Sequence, residues 1–140
     1  MVQALEWNPG DLVFVPQMDA DHQQLFADLE KVRQAMDAGT ATSQLGFHAW
    51  RLSKSLAIHC TAEERLMTRS RYPGFDWHER QHHAGRKKMA RLIGAIQVND
   101  RQRVEEAFRE VTQWFQDHVR LADRMLAAHL RNDSRARLVS

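Results

Sequence analysis

The sequence has few of the features that would stabilise a chain lacking a large core. It contains one cysteine, Cys60, and only three prolines, so no disulfide can form within the chain. Long apolar stretches are missing too, and no run approaches the roughly 18 apolar residues that a membrane helix needs. Residues 1–17 lack a basic segment followed by an apolar one, so we expect no signal peptide and a cytoplasmic location.

Strong charge of either sign is also absent. The formal net charge is +2, which is too mild to indicate a nucleic-acid partner. The densest basic stretch, Arg86-Lys87-Lys88 with Arg91, is typical of a solvated helix face and is not interleaved with aromatic residues. We therefore expect no nucleic-acid or membrane partner, and leave a protein partner open.

What the chain does have is a helical repeat of apolar residues. With 43% hydrophobic residues in 140, it can bury the core of a single domain. Apolar side chains recur at three- and four-residue steps in four segments, which are separated at Gly39, at Pro73-Gly74 and at Asn99-Asp100. These patterns predict an all-α fold, an up-down-up-down antiparallel four-helix bundle.

The same pattern predicts where the parts of the chain begin and end. Residues 1–18 are interpreted as an irregular arm in which 12–15 is the single candidate strand. The bundle is predicted over 19–130 and a tail over 131–140. Asp19 is the expected N-cap of the first helix, and Thr42 or Ser43 that of the second. Met125 is expected on the inner face of the last helix.

Seven side chains that can bind metals interrupt these apolar faces. His59 and Glu63 are four residues apart, as are His78 and His82, so each pair lies on one face of a helix. The full set is His22, His59, Glu63, His78, His82, His118 and Asp123. Burying these groups without partners would be costly, so hydrogen bonds or a metal must compensate.

The three turns would bring the seven groups to one level of the bundle. Positions 22 and 59 are equally far from the turn at 39–42. The pair His59 and Glu63 and the pair His78 and His82 are about equally far from the turn at 71–74. Positions 82 and 118 are equally far from Asn99-Asp100. A single histidine on an apolar face is more often an ordinary core residue, so only the whole set indicates a metal site. Imidazoles with carboxylates and no thiolate suit iron or another first-row metal.

The order and spacing of these residues resemble the hemerythrin family, and more closely its bacterial single-domain members. The pattern is Asp19-x-x-His22, His59-x-x-x-Glu63, His78-x-x-x-His82 and His118-x-x-x-x-Asp123. Further similarities are Trp7, Glu63-Glu64-x-x-Met67, Tyr72-Pro73 and Trp114, and the resemblance runs from about residue 7 to 128.

The resemblance implies two irons joined by an oxo or hydroxo bridge. His78, His82 and His118 would bind one iron, and His22 and His59 the other. Glu63 and Asp123 would bridge the pair, and dioxygen would bind at the iron that has only two histidines. Glu64, His83 and Asp117 stand next to these positions but about 100° around the helix, so we expect them to face solvent or a neighbouring helix.

Two positions depart from the family pattern. Family members usually have phenylalanine where this chain has Cys60, and commonly leucine where it has Phe115. By resemblance, these two residues would line the dioxygen pocket together with Trp114 and Val119. Neutral drift is an equally plain reading of both changes.

The expected function is reversible dioxygen binding for storage, delivery or sensing, without enzymatic activity. The alternative is a di-iron oxidase or a peroxidase-like scavenger of peroxide or nitric oxide. An imidazole-rich site favours binding, since di-iron enzymes that activate oxygen carry mostly glutamates.

Overall fold

The structure is a computed structural model that describes residues 6–133, and over that range it is helical with no strand. After a 3₁₀ turn at Pro9–Asp11 come α1 (Pro16–Asp37), α2 (Thr42–Arg69), α3 (Phe75–Gln97) and α4 (Arg101–Asp117). The last helix continues through a π-helical segment (His118–Asp123) into α5 (Arg124–Asn132). The predicted four-helix bundle is confirmed, with α4, the π-helical segment and α5 forming its fourth rod.

The three turns between the helices have the same construction. Each places one residue with positive φ just after the helix: Gly39 (65°), Arg71 (53°) and Asn99 (56°). The next residue then donates its backbone N–H to a carbonyl of the last helical turn, as Thr40 does to Ala35 and Tyr72 to Met67. This Schellman arrangement ends a helix and reverses the chain sharply. The predicted turn positions are therefore correct.

Two predicted N-caps are wrong, the first by four residues and the second by one or two. The first helix begins at Pro16, because proline is well suited to the first helical position, and Asp19 lies inside it. The second begins after Ala41 with no side-chain cap. The Thr42 hydroxyl instead donates to the side-chain oxygen of Asn99, which ties two turns together. The candidate strand at 12–15 does not form. The proposed tail at 131–140 lies mostly outside the described residues.

The core has two apolar clusters, and the metal-binding candidates lie between them. The larger cluster fills the bundle from Met36 and Ile96 to Cys60 and Val119. The smaller comprises Val13, Met18, Met67, Leu126, Ala127 and Leu130. Along α1, for example, His22 stands between Met18 and Leu25. No helix within 6–133 is long and apolar enough to cross a membrane.

Candidate metal centre

All seven predicted side chains meet in the interior of the bundle. Their side chains are no more than 3% exposed. One atom from each of five of them lies within 4.8 Å of all the others: His59, Glu63, His82, His118 and Asp123. Each of the four helical rods contributes at least one of the seven residues, so the arrangement exists only in the folded bundle.

Glu63 divides its two carboxylate oxygens between two groups of imidazoles. Its Oε1 lies 3.0 Å from Nε2 of His78 and 2.9 Å from Nε2 of His82. Its Oε2 instead lies 3.0 Å from Nε2 of His59 and 3.7 Å from Nε2 of His22. The carboxylate therefore stands between histidines of α3 on one side and of α1 and α2 on the other.

Asp123 repeats this division from the opposite rod. Its Oδ1 lies 3.0 Å from Nε2 of His78 and 2.9 Å from Nε2 of His118. Its Oδ2 lies 2.7 Å from Nε2 of His22 and 3.4 Å from Nε2 of His59. One oxygen of each carboxylate thus faces members of a set of three imidazoles, those of His78, His82 and His118. The other oxygen faces a set of two, those of His22 and His59.

The position of Asp123 depends on the π-helical segment. His118 and Asp123 are five residues apart, a spacing that an ordinary α-helix places on different faces. In the π-helical stretch His118–Asp123 both side chains point inward. Such segments are rare and are frequent at functional sites. The five-residue spacing is the sequence signal for this segment, and it does not appear in the apolar three- and four-residue periodicity.

Because of the same segment, the predicted inner face of the last helix is wrong. Met125 was expected inside, but it is 49% exposed, and Leu121 is 58% exposed. The wider turn rotates all later residues, so that Leu126, Ala127 and Leu130 are buried instead.

The donor atoms fit a metal better than they fit each other. Within residues 6–133, four buried atoms lack a hydrogen-bond partner although they face the cluster: Nε2 of His59, Nε2 of His118, Oε2 of Glu63 and Oδ1 of Asp123. Nε2 of His59 is 3.0 Å from Glu63 Oε2, yet the angles do not make a hydrogen bond. Buried polar atoms are rarely left unpaired. Nitrogen and oxygen lone pairs that converge on shared points are what a first-row metal pair would bind.

Mutual charge holds the protein groups together when no metal is bound. Burial would lower the pKa of His118, but the carboxylates of Asp123 and Glu63 outweigh it and raise that pKa to about 9. The pKa values of His22, His59 and His78 are also raised against burial, by the same two carboxylates. Burial would raise the pKa of Glu63, yet the neighbouring imidazoles, led by His59, hold it well below its ordinary value.

One imidazole has a hydrogen-bonded support behind it, which the sequence analysis did not identify. Nδ1 of His82 donates to Oε2 of Glu64 at 2.8 Å, and Arg86 lies 3.5 Å from the same oxygen. Carboxylates in this position orient a ligating histidine and fix its tautomer. Glu64 was expected to face solvent or a neighbouring helix, and it bonds the metal-binding candidate His82 of α3. His83 and Asp117 are exposed, as expected.

Aromatic packing supports other imidazoles. Trp114 stacks on His118, with ring centroids 4.7 Å apart and planes inclined by 17°. Its Nε1 donates to the backbone carbonyl of Gln81 at 3.1 Å. The ring can approach α3 this closely because residue 85 is glycine: a Cβ there would meet the indole at 2.5 Å. Phe115 packs its ring near His22, at 6.1 Å.

The four residues assigned by resemblance to a dioxygen pocket are all buried in the larger apolar cluster: Cys60, Trp114, Phe115 and Val119. A cavity of about 10 Å³ lies in this cluster, and its walls include Trp114 and Phe115 together with leucines of α1 and α2. Cys60 and Val119 are not among its lining residues. Burial raises the pKa of the Cys60 thiol, so it is kept uncharged.

The other three histidines lie outside the cluster. His83 is exposed on α3. His129 bonds the carbonyl oxygen of Ser70 at 3.0 Å and packs near Tyr72. His48 is half-buried on α2 and lies beside Phe47. Neither residue belongs to the centre.

Comparison with known families agrees with this geometry. A family model described as the hemerythrin HHE cation binding domain matches residues 13–130. That range contains all seven converging residues. No match was found among curated proteins.

Proposed function

Because this chain belongs to the hemerythrin family, we propose that it binds dioxygen reversibly at a pair of irons, for storage, delivery or sensing. His78, His82 and His118 would hold one iron, and His22 and His59 the other. Glu63 and Asp123 would each bind both metals. The proposed role is that of a binding protein in the cytoplasm and not that of an enzyme.

The observation that carries this proposal is the division of the two carboxylates. Each places one oxygen within 3.0 Å of imidazoles in the set of three. The other oxygen of each faces the set of two. This unequal arrangement supports two metals with different numbers of protein ligands, and so an open position on the metal held by His22 and His59.

The bound irons would supply the two electrons that dioxygen accepts on binding and returns on leaving. The protein contributes the surroundings of that exchange. The larger apolar cluster excludes water from one side of the centre, with Phe115 near His22. Glu64 and Trp114 hold His82 and His118 in fixed orientations. A small, dry and rigid site favours binding over further reaction.

The test is anaerobic loading with ferrous iron, followed by cycles of oxygen and inert gas. We expect two irons per chain by elemental analysis, and an absorption change that reverses when the gas is removed over several cycles. His59→Ala should lose iron, whereas His129→Ala, which alters a histidine outside the centre, should not. One metal or none per chain would contradict the site. Irreversible consumption of dioxygen or peroxide would indicate the oxidase or peroxidase-like alternative.

A further inference from the structure

Residues 8–14, the N-terminal segment, run between the π-helical segment and α1 and bond to both. Asp11 is 1% exposed although it is charged and belongs to a short 3₁₀ turn. Its Oδ1 accepts a hydrogen bond from Nε of Arg120 at 3.0 Å, and its Oδ2 accepts one from the backbone of Asn8 at 3.1 Å. A buried carboxylate satisfied in this way makes a specific connection between distant parts of the chain.

Arg120 lies between His118 and Asp123 in the chain, so a contact that holds Arg120 also restrains the backbone of both residues. The next arginine, Arg124, strengthens the connection. Its Nη2 donates to the carbonyl of Gly10, and its Nε donates to the carbonyl of Arg120 at 3.3 Å. That second bond satisfies a backbone oxygen of the π-helical segment itself.

The other end of the N-terminal segment is held by α1. The Asp19 carboxylate accepts hydrogen bonds from the backbone of Val13 at 2.8 Å and of Phe14 at 3.1 Å. Asp19 lies three residues before His22, so it is one turn away from the centre. Arg131 of α5 also donates to the carbonyl of Val13.

The segment therefore spans the same two rods that His22 and Asp123 join inside the bundle. Nε2 of His22 and Oδ2 of Asp123 are 2.7 Å apart. A π-helical turn is less favourable than an α-helical one, so it persists where its surroundings support it. A return to α-helical geometry would turn Asp123 away from His118, since five residues are well over one α-helical turn.

We propose that Asp11 and Arg120 position the metal centre by holding the π-helical segment, and with it the Asp123 carboxylate, against α1. Arg120 is a positioning residue, since it acts through the backbone and through Asp123. The inference rests on the proposed function only in requiring that the seven buried residues bind metal.

The test measures metal affinity and coordination in Arg120→Gln, Asp11→Asn and the double variant. Cobalt(II) is the probe, because its visible spectrum reports on the geometry of its ligands, and its affinity is obtained by competition with a chelator. We expect each single change to lower cobalt affinity about tenfold, the lower end of what losing support behind metal ligands costs, and to alter the spectrum. The double variant should be little worse than either single one, because both changes remove one interaction.

Controls separate positioning from general stability. Arg101→Gln with Glu105→Gln removes a partly exposed ion pair, 3.2 Å long, at the other end of α4, together with the weaker pairing of Glu105 with Arg109. This double change should leave the spectrum unchanged. Arg120→Lys keeps the charge and should recover part of the affinity. Melting temperatures of the metal-free variants show whether each is folded.

Lower melting temperatures with unchanged cobalt affinity and spectrum would overturn the inference, because the pair would then be purely structural. An equal loss in the control pair would overturn it as well. Wild-type protein that bound no cobalt would overturn the proposed function itself, which distinguishes the two failures.

Discussion

Trp114 stacks on the imidazole of His118 and also lies close to the backbone of α3 at Gly85. The absence of a side chain at this helix position allows the indole to stack on a metal-binding candidate. Glycine inside a helix costs up to about 1 kcal/mol relative to alanine, so its presence at 85 is explained by the packing.

Gly85→Ala should therefore destabilise the protein despite the better helix propensity of alanine. The added methyl would lie 2.5 Å from the indole, and overpacking of this kind costs about 1–3 kcal/mol. The matched control is Gly94→Ala in the same helix, where a Cβ meets nothing within 4 Å. It should be neutral or stabilising by up to about 1 kcal/mol. Thermal melts of both variants compare the effects, and equal shifts would show that the stack exerts no constraint.

Removing the support behind His82 should weaken metal binding more than it weakens the fold. Glu64→Gln replaces the carboxylate that accepts the Nδ1 hydrogen bond, and losses at such positions cost about 10- to 100-fold in metal affinity. Glu106→Gln, an exposed change on α4, is the control. Competition with a chelator measures both affinities. Unchanged affinity in Glu64→Gln would mean that His82 is oriented by packing alone.

The metal-free protein should lose stability at alkaline pH. The pKa of His118 is raised to about 9, so its contribution is fully present below the unfolded-state pKa of about 6.5 and is lost as the pH rises through about 9. The pKa of Glu63 is lowered, so its contribution is present above about pH 4 and is lost as the pH falls. Urea unfolding midpoints should be higher at pH 6 than at pH 9. His118→Gln should flatten this difference, and greater stability at pH 9 would contradict the charged cluster.

Cys60 and Phe115 offer a test of the pocket inferred from the family pattern. Both are buried in the larger apolar cluster, and the ring centroids of Phe115 and Phe26 are 5.1 Å apart. Cys60→Phe should overpack the core by about 1–3 kcal/mol, and Phe115→Leu should enlarge the cavity and speed oxidation of the ferrous centre. If the two side chains share a wall, the double variant recovers part of both effects. Strictly additive changes in stability and oxidation rate would show that they do not.

Much of the fold could be read from local patterns. Apolar residues at helical steps predicted the four rods, and Gly39, Pro73-Gly74 and Asn99-Asp100 marked the turns. The first and third signals are local, because Gly39 and Asn99 adopt the positive φ that ends a helix, whereas in the second turn Arg71 adopts it. Helix starts were less accurate, since Pro16 and Asp19 both fit an N-terminus and only the position of Val13 and Phe14 shows what the Asp19 carboxylate binds.

The identity of the seven candidate residues was also determined by the sequence. Their spacing relative to the turns predicted one common level, and the structure places all seven there in buried positions. Spacing suffices for this because helices of known rise, joined by short turns, leave little freedom in which residues face each other.

What only the tertiary structure decided is how these groups are held. The π-helical turn at His118–Asp123, the hydrogen bond from His82 to Glu64 and the pairing of Asp11 with Arg120 each depend on contacts between rods. Asp11 and Arg120 are separated by 109 positions. The apolar periodicity of one segment does not predict which residues of a distant segment it will contact. Local sequence set the helices and their inward faces, whereas packing between them set the register that aligns the donor atoms.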